Sequence, residues 1–224
     1  MKISIELTED GSHTIFIPSL NERYHSYHGA LQESVHIFIK NGFHYAIKNK
    51  SSLNVLEVGF GTGLNAILTY YNAEDCQVKT NYTTIEPFPL REMVYKNLNY
   101  PDLLGREDAS SIFKKIHNSE WNKDISLSDR FIIHKIKNKI EDINLPQDHF
   151  ELVYFDAFAP KVQPEMWEKS IFQKIHNSLK QGGCLLTYSA KGIVKRDLIS
   201  AGFIIESLDG PAGKREITRA NKTN

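Results

Sequence analysis

The sequence has little cysteine, no net charge and no long apolar run, and each shortage closes off a class of protein. Two cysteines in 224 residues, Cys76 and Cys184, cannot build the disulfide framework of a small secreted domain and lack metal-ligand spacing; they read as reduced structural thiols. Nine histidines are scattered without a convincing pair on one helix face, which turns the reading away from metal catalysis. No apolar stretch approaches the roughly 18 residues that suggest a membrane span. The opening Met-Lys-Ile-Ser-Ile-Glu-Leu-Thr-Glu-Asp carries acids where a signal peptide is apolar, so a cytoplasmic location with no membrane partner is expected. Repeats, low-complexity tracts and dividing linkers are also missing. What is left is a single domain of ordinary globular composition, long enough to bury a substantial core.

The 27 basic and 27 acidic residues cancel in number but not in place. Residues 161–224 carry an excess of five positive charges and residues 1–160 an excess of five negative ones. A neutral chain can therefore still present one basic face.

Period-two patterning at 3–8 and 13–17 around Asp10-Gly11 predicts a β-hairpin. Leu31, Val35, Phe38 and Ile39 fall at helical spacing, so a helix is expected over 28–41, ended by Asn41-Gly42. Strands then alternate with helices. Strands are predicted at 53–58, 81–86, 130–136, 150–156, 183–188, 202–208 and 214–220, and helices at 63–72, 89–98, 109–118, 164–179 and 191–201. That alternation means a mostly parallel seven-stranded sheet covered on both faces, the closing strand-turn-strand adding one antiparallel strand. The N-terminal 1–50 reads as a hairpin and helix extending the same domain, which 51–224 completes.

Three motifs fall at carboxyl ends of strands, where open α/β sheets bind ligands. The first is Glu57-Val58-Gly59-Phe60-Gly61-Thr62-Gly63-Leu64-Asn65. Its glycines fall first, third and fifth, not first, third and sixth as in a dinucleotide fingerprint, which disfavours a nicotinamide dehydrogenase. A ligand lying on this loop would meet backbone amides and a helix N-terminus. S-adenosylmethionine, with no pyrophosphate, suits it; Glu57 can orient the loop amides or meet the cofactor's ammonium. In the second motif Glu86 ends the next strand, 23 residues beyond Gly63, where an acid accepts hydrogen bonds from ribose hydroxyls. The third is Tyr154-Phe155-Asp156-Ala157-Phe158-Ala159-Pro160. It puts Asp156 near the transferable methyl, between aromatics that can hold a planar base.

Taken together these motifs resemble the methyltransferase half of the MnmC-like enzymes that make 5-methylaminomethyl-2-thiouridine in tRNA. The likeness continues through Pro164-Glu165-Met166-Trp167, Tyr188-Ser189-Ala190-Lys191-Gly192 and Gly210-Pro211-Ala212-Gly213-Lys214-Arg215-Glu216, and reaches back to Gly29, Glu33 and His36-Ile37-Phe38. It implies a Rossmann-like class I methyltransferase that converts the 5-aminomethyl group of the wobble uridine to 5-methylaminomethyl. Gly59, Gly61, Thr62, Gly63, Asn65, Glu57, Glu86 and Asp156 would hold S-adenosylmethionine, and Asp156 would take the amine's proton. Tyr27, His28 and Glu33 would form an N-terminal lid. Phe158, Lys161, Lys191, Lys195, Arg196, Lys214 and Arg215 would meet the tRNA anticodon arm, although Lys214, Arg215 and Glu216 can instead brace the last strand.

The oxidase half of the fused enzymes is missing, so a separate oxidase upstream is an expected partner. The acid that relatives use on the adenine amino group is replaced in Ile133-His134-Lys135-Ile136-Lys137-Asn138, leaving Asn138, a backbone amide or Asp142 as substitutes. Two rival functions share the fold. An aminopropyltransferase of the spermidine synthase type also needs a strand-end Asp for an amine, and a non-catalytic RNA-binding protein would have no need of an intact glycine loop.

Overall fold

Leu53, Val55, Leu56 and Val58 are all buried, and a strand buried on both faces demands helices above and below it. The computed structural model describes residues 3–223. It places Ser52–Val58 (β4) centrally in a sheet with Lys79–Ile85 (β5), Asp124–Ser126 (β6), Phe131–Ile136 (β7), Phe150–Phe155 (β8), Leu179–Thr187 (β9), Ile204–Asp209 (β10) and Glu216–Asn221 (β11). The spatial order is β10-β11-β9-β8-β4-β5-β7-β6. Strands β7, β5, β4, β8 and β9 are parallel, whereas β11 runs antiparallel to both β9 and β10. The order of strands reverses at β4, with β5 and β7 laid to one side and β8 and β9 to the other, and the crevice between the ends of β4 and β8 is the switch point where such sheets bind ligands.

The sheet has eight strands, not the expected seven, because Asp124–Ser126 adds a short antiparallel edge to β7. Its three residues offer too little alternation to be read from sequence. β9 begins at Leu179 and not 183; its pairing with β8 shifts register after Leu179, where Gly182 takes φ +75°, a form glycine adopts freely.

The N-terminal hairpin, Ser4–Leu7 (β1) with His13–Ile17 (β2), gains a third strand, Glu22–Arg23 (β3). The helix that follows starts as Ala30–Ser34 (α1), widens to a π-helix over Val35–Phe43 and closes as His44–Ala46 (α2). Asn41-Gly42 therefore does not end it. Asn41 donates to the His36 carbonyl at 2.8 Å, and Gly42 lets the helix lie on Tyr154, whose ring a Cβ would approach to 3.1 Å.

Leu64–Asp75 (α3) and Ala109–Asn118 (α6) cover the same face of the sheet, burying Ile67, Tyr70, Tyr82, Phe113 and Phe131 in one cluster with Phe38. The helix expected at 89–98 is only Glu92–Tyr95 (α4), followed by Tyr100–Leu103 (α5). The intervening chain bonds the N-terminal hairpin instead: the Asn99 side chain accepts the His13 amide and donates to the Gly11 carbonyl, both at 2.8 Å. On the opposite face Lys169–Ser178 (α7) and Gly192–Ser200 (α8) bury Phe155, Trp167, Phe172 and Leu198. Residues 164–167 form a separate 3₁₀ turn ahead of α7, held by a 2.7 Å bond from the Trp167 indole to the Phe158 carbonyl. Each such aromatic contributes about 1.5–3 kcal/mol by burial. Among the described residues no helix is long and apolar enough to cross a membrane.

Candidate active site

Between the ends of β4 and β8 opens a cavity of about 640 Å³, within the range that holds a small organic ligand. Its floor requires glycine. Gly59 has φ +97°, and a Cβ there would lie 2.6 Å from the Asp156 carbonyl oxygen. Any side chain would push the two strand ends apart. Gly63 is left-handed at the start of α3, where a Cβ would come within 2.8 Å of His117 Nε2.

The loop is held from behind and from above. His117 Nε2 donates to the Thr62 carbonyl at 3.1 Å, and the Thr62 hydroxyl meets His25 Nε2 at 3.3 Å. Burial drives both imidazoles neutral, His117 to about 3 and His25 to about 4. Behind them Lys135 is fully buried, donates to the His117 carbonyl at 2.6 Å and lies 4.6 Å from the Trp121 ring centroid. Burial lowers its pKa to about 8.

Glu86 lines the cavity and accepts the Gly61 amide at 3.1 Å and the Phe88 amide at 2.8 Å; burial raises its pKa. Asp156 accepts from Asn65 Nδ2 at 2.9 Å. Burial, reinforced by the negative charge of Glu33, pushes the Asp156 pKa up to about 7, against the Asn65 bond and Lys214. Asn65 also lines the cavity, and its Oδ1 is buried with no partner. An acceptor left open beside a glycine cradle fits a ligand that brings its own donor, as the amino group of S-adenosylmethionine would. Glu57 lies deeper, outside the cavity lining. It bonds Thr84 Oγ1 at 2.7 Å, not the loop amides, and burial raises its pKa to about 8.

The other sequence-derived candidates separate into two groups. Phe158, Lys161 and Lys214 line the cavity. Phe158 meets Tyr24 edge-on at 5.0 Å, Lys161 pairs with Glu22 at 2.6 Å, and Lys214 pairs with Glu33. Lys191, Lys195, Arg196 and Arg215 are not in the lining. Three of these are exposed, but Lys195 is engaged at 2.8 Å with both Glu216 and Ser207. Glu216 thus braces the last hairpin, the alternative the sequence left open, with Lys195 as its partner. His28 packs against Gly213 and pairs with Glu9, whereas Tyr27 lines the cavity and is half exposed. Lys139, Ile140 and Glu141 line the wall where Asn138 or Asp142 was expected. Sequence reading also missed Tyr24 and His25, which belong to no motif and reach the cavity only because β3 folds back over the glycine loop.

A five-stranded parallel run with an antiparallel hairpin at its edge, and a glycine cradle flanked by two strand-end acids, define a Rossmann-like α/β enzyme that binds an adenosyl cofactor. The family profile of S-adenosyl-L-methionine-dependent methyltransferases matches residues 106–223, and the chain belongs to that family. Among similar proteins, the tRNA 5-methylaminomethyl-2-thiouridine biosynthesis bifunctional protein MnmC of Leptospira interrogans is 31% identical over 217 residues; the alignment covers 87% of this chain. The chain spans only 31% of that relative's length. In fold it resembles MNMC2 from Aquifex aeolicus, with TM-score 0.77, 24% identity and coverage of 98% of this chain and 69% of that one. Spermidine synthase from Thermotoga maritima shares the fold at TM-score 0.56 and 14% identity, covering 99% of this chain and 80% of that one.

Proposed function

We propose that the chain methylates the primary amine of a 5-aminomethyl group on the wobble uridine of tRNA, giving 5-methylaminomethyl. The observation that carries this reading is Asp156, a carboxylate brought near neutrality on the floor of the cofactor cavity. The name of the Leptospira relative supplies the substrate class.

S-adenosylmethionine, when bound, supplies a methyl group already activated on sulfur. Gly59, Gly61, Thr62 and Gly63 would hold it by backbone, Asn65 by its open Oδ1, and Glu86 through its ribose hydroxyls. The chain's remaining task concerns the amine, which arrives protonated and has no lone pair to attack with. Asp156 would accept that proton and a hydrogen bond, orienting the lone pair. Positioning of two reactants then supplies most of the rate. Phe158 and Tyr24 would wall a splayed base, and Lys191, Arg196 and Arg215 would meet backbone phosphates. Residues 1–50 act as an extension of the 51–224 domain, and a separate oxidase of the same pathway would deliver the aminomethyl substrate.

The test is nucleoside mass spectrometry of aminomethyl-bearing tRNA after incubation with the protein and S-adenosylmethionine. The wobble nucleoside should gain one methyl. If it is unchanged while putrescine gains an aminopropyl group from decarboxylated cofactor, the chain is an aminopropyltransferase instead. No transfer to either, with cofactor bound, would leave an RNA-binding role.

A further inference from the structure

Glu33 and Lys214 stand 181 positions apart and meet at the cavity wall. Glu33 is only 8% exposed, and one of its oxygens accepts the Ser26 amide at 2.8 Å while the other pairs with Lys214. Lys214 Nζ lies 4.3 Å from the centroid of the Tyr188 ring. The Tyr188 hydroxyl in turn donates to the carbonyl of Ala157, next to Asp156, at 2.8 Å. One buried anion and one half-buried cation therefore share the wall with Asp156. The other groups bearing on that carboxylate are Glu57 from β4, Tyr82 from β5, Tyr188 after β9 and Asn65 from α3.

The charges matter because of what each would do alone. Lysine by itself would repel an incoming ammonium. Glutamate by itself would compete with Asp156 and keep it protonated through like-charge repulsion. Held as a pair, each offsets part of what the other would do, Glu33 keeping the stronger hold on Asp156. We propose that the Glu33–Lys214 pair is the positioning element of the amine subsite, holding balanced charge beside Asp156 so that its carboxylate stays free to take the amine's proton. In that transfer an N–H bond breaks, an O–H bond forms on Asp156, and the electron pair stays on nitrogen. The inference rests on the amine-methylating reading above, but its signature belongs to the protein alone.

The decisive experiment follows the Asp156 carboxyl carbon by NMR through a pH titration of the ¹³C-aspartate-labelled full chain, the signal assigned with Asp156→Asn. Glu33→Gln keeps an acceptor for Ser26 and should move the Asp156 midpoint down by about one pH unit, the order expected of one nearby charge. Lys214→Met keeps the stem against Tyr188 and should move it up, by less than Glu33→Gln moves it down. The double variant should return near wild type, and Lys214→Arg should stay there. The acid limb of kcat/KM should follow the same displacements. Displacement of both single variants in one direction, or of neither while both stay folded, would overturn the proposal. If Glu33→Gln does not fold, Lys214→Met decides alone, because losing the cation must raise the midpoint. The titration needs no tRNA, so a wild type that fails to methylate tRNA counts against the proposed function and leaves this result readable.

Discussion

The two halves of the cavity are assembled on different principles. The cofactor half comes from two short stretches, 58–65 and 86–88, and works largely through backbone: glycine torsions, amides and a helix N-terminus. The acceptor half is made of side chains from five separate segments, Tyr24, Glu33, Asp156 with Phe158, Tyr188 and Lys214. A backbone cradle tolerates little change in sequence, because Gly59 and Gly63 are fixed by clashes their own Cβ atoms would make and Gly61 by a left-handed φ of +50°. A wall of side chains can be retuned one residue at a time. Binding should accordingly belong to the first half and turnover to the second.

The largest effect that separates the halves is expected at Asp156. Asp156→Ala should leave cofactor affinity near wild type and lower turnover by about 10² or more, the scale of a lost general base. Turnover within a few-fold of wild type on aminomethyl-bearing tRNA would dissolve the division. The complementary change is Glu86→Ala. It removes the acceptor for the Gly61 and Phe88 amides and the one proposed for the ribose, and should weaken cofactor binding by about 1–3 kcal/mol. Titration calorimetry that finds unchanged affinity would take Glu86 out of the cofactor half.

The same division decides what was legible in the sequence. The places of Gly59, Gly61, Gly63 and Glu86 at the strand ends could be read because they follow from spacing along a strand-loop-helix unit, and the parallel sheet followed from alternation alone. Asp156 was legible for the same reason, standing at the end of a buried strand. Glu33 with Lys214 was not. Both residues were noted, one as a lid and one as a phosphate contact, yet their pairing depends on helix α1 and the last hairpin reaching one cavity. The partner of Lys195 was hidden in the same way: charge and position suggested RNA, and the fold pairs it with Glu216. The course of the first helix through Gly42 was also hidden, since the Tyr154 ring that makes the glycine necessary is 112 positions away.

A smaller and purely physical contrast lies beneath the cavity. Glu57 and Asp156 both hold their protons to higher pH in the folded chain than when unfolded, about 8 against 4.5 for Glu57 and about 7 against 3.8 for Asp156. For a carboxyl shifted upward the native state binds more protons between the two values, so stability falls as pH rises through that window. Urea unfolding at pH 5, 7 and 9 should show the decline. Glu57→Gln should flatten it and gain on the order of 1 kcal/mol or more over wild type at the highest pH. A Glu57 acting as an ionised cofactor ligand predicts otherwise, a loss of cofactor affinity in Glu57→Gln with the pH dependence of stability the same as in wild type. That outcome would move Glu57 from the floor into the cofactor half.

The smallest expected effect concerns the basic residues at the cavity's margin, which the structure sorts into exposed and paired. Arg196 and Lys191 are exposed at the start of α8, whereas Lys195, on the same helix, is tied to Glu216 and Ser207. If tRNA lies along this edge, an exposed cation releases a counterion on contact and a paired one does so only by giving up its partner. Lys191→Ala with Arg196→Ala should therefore reduce the salt slope of tRNA binding by about two, roughly one per phosphate contact, and leave cofactor affinity alone. Lys195→Ala should change the slope little and instead lower the stability of the last hairpin, by up to about 1 kcal/mol for a partly exposed ion pair. Salt-dependent binding curves and thermal melts on the same three proteins separate these results. An equal slope change from Lys195→Ala would mean that tRNA displaces Glu216 on binding. An unchanged slope in the Lys191 and Arg196 double variant would mean that the RNA approaches from the other margin, where Tyr24 and Lys161 stand.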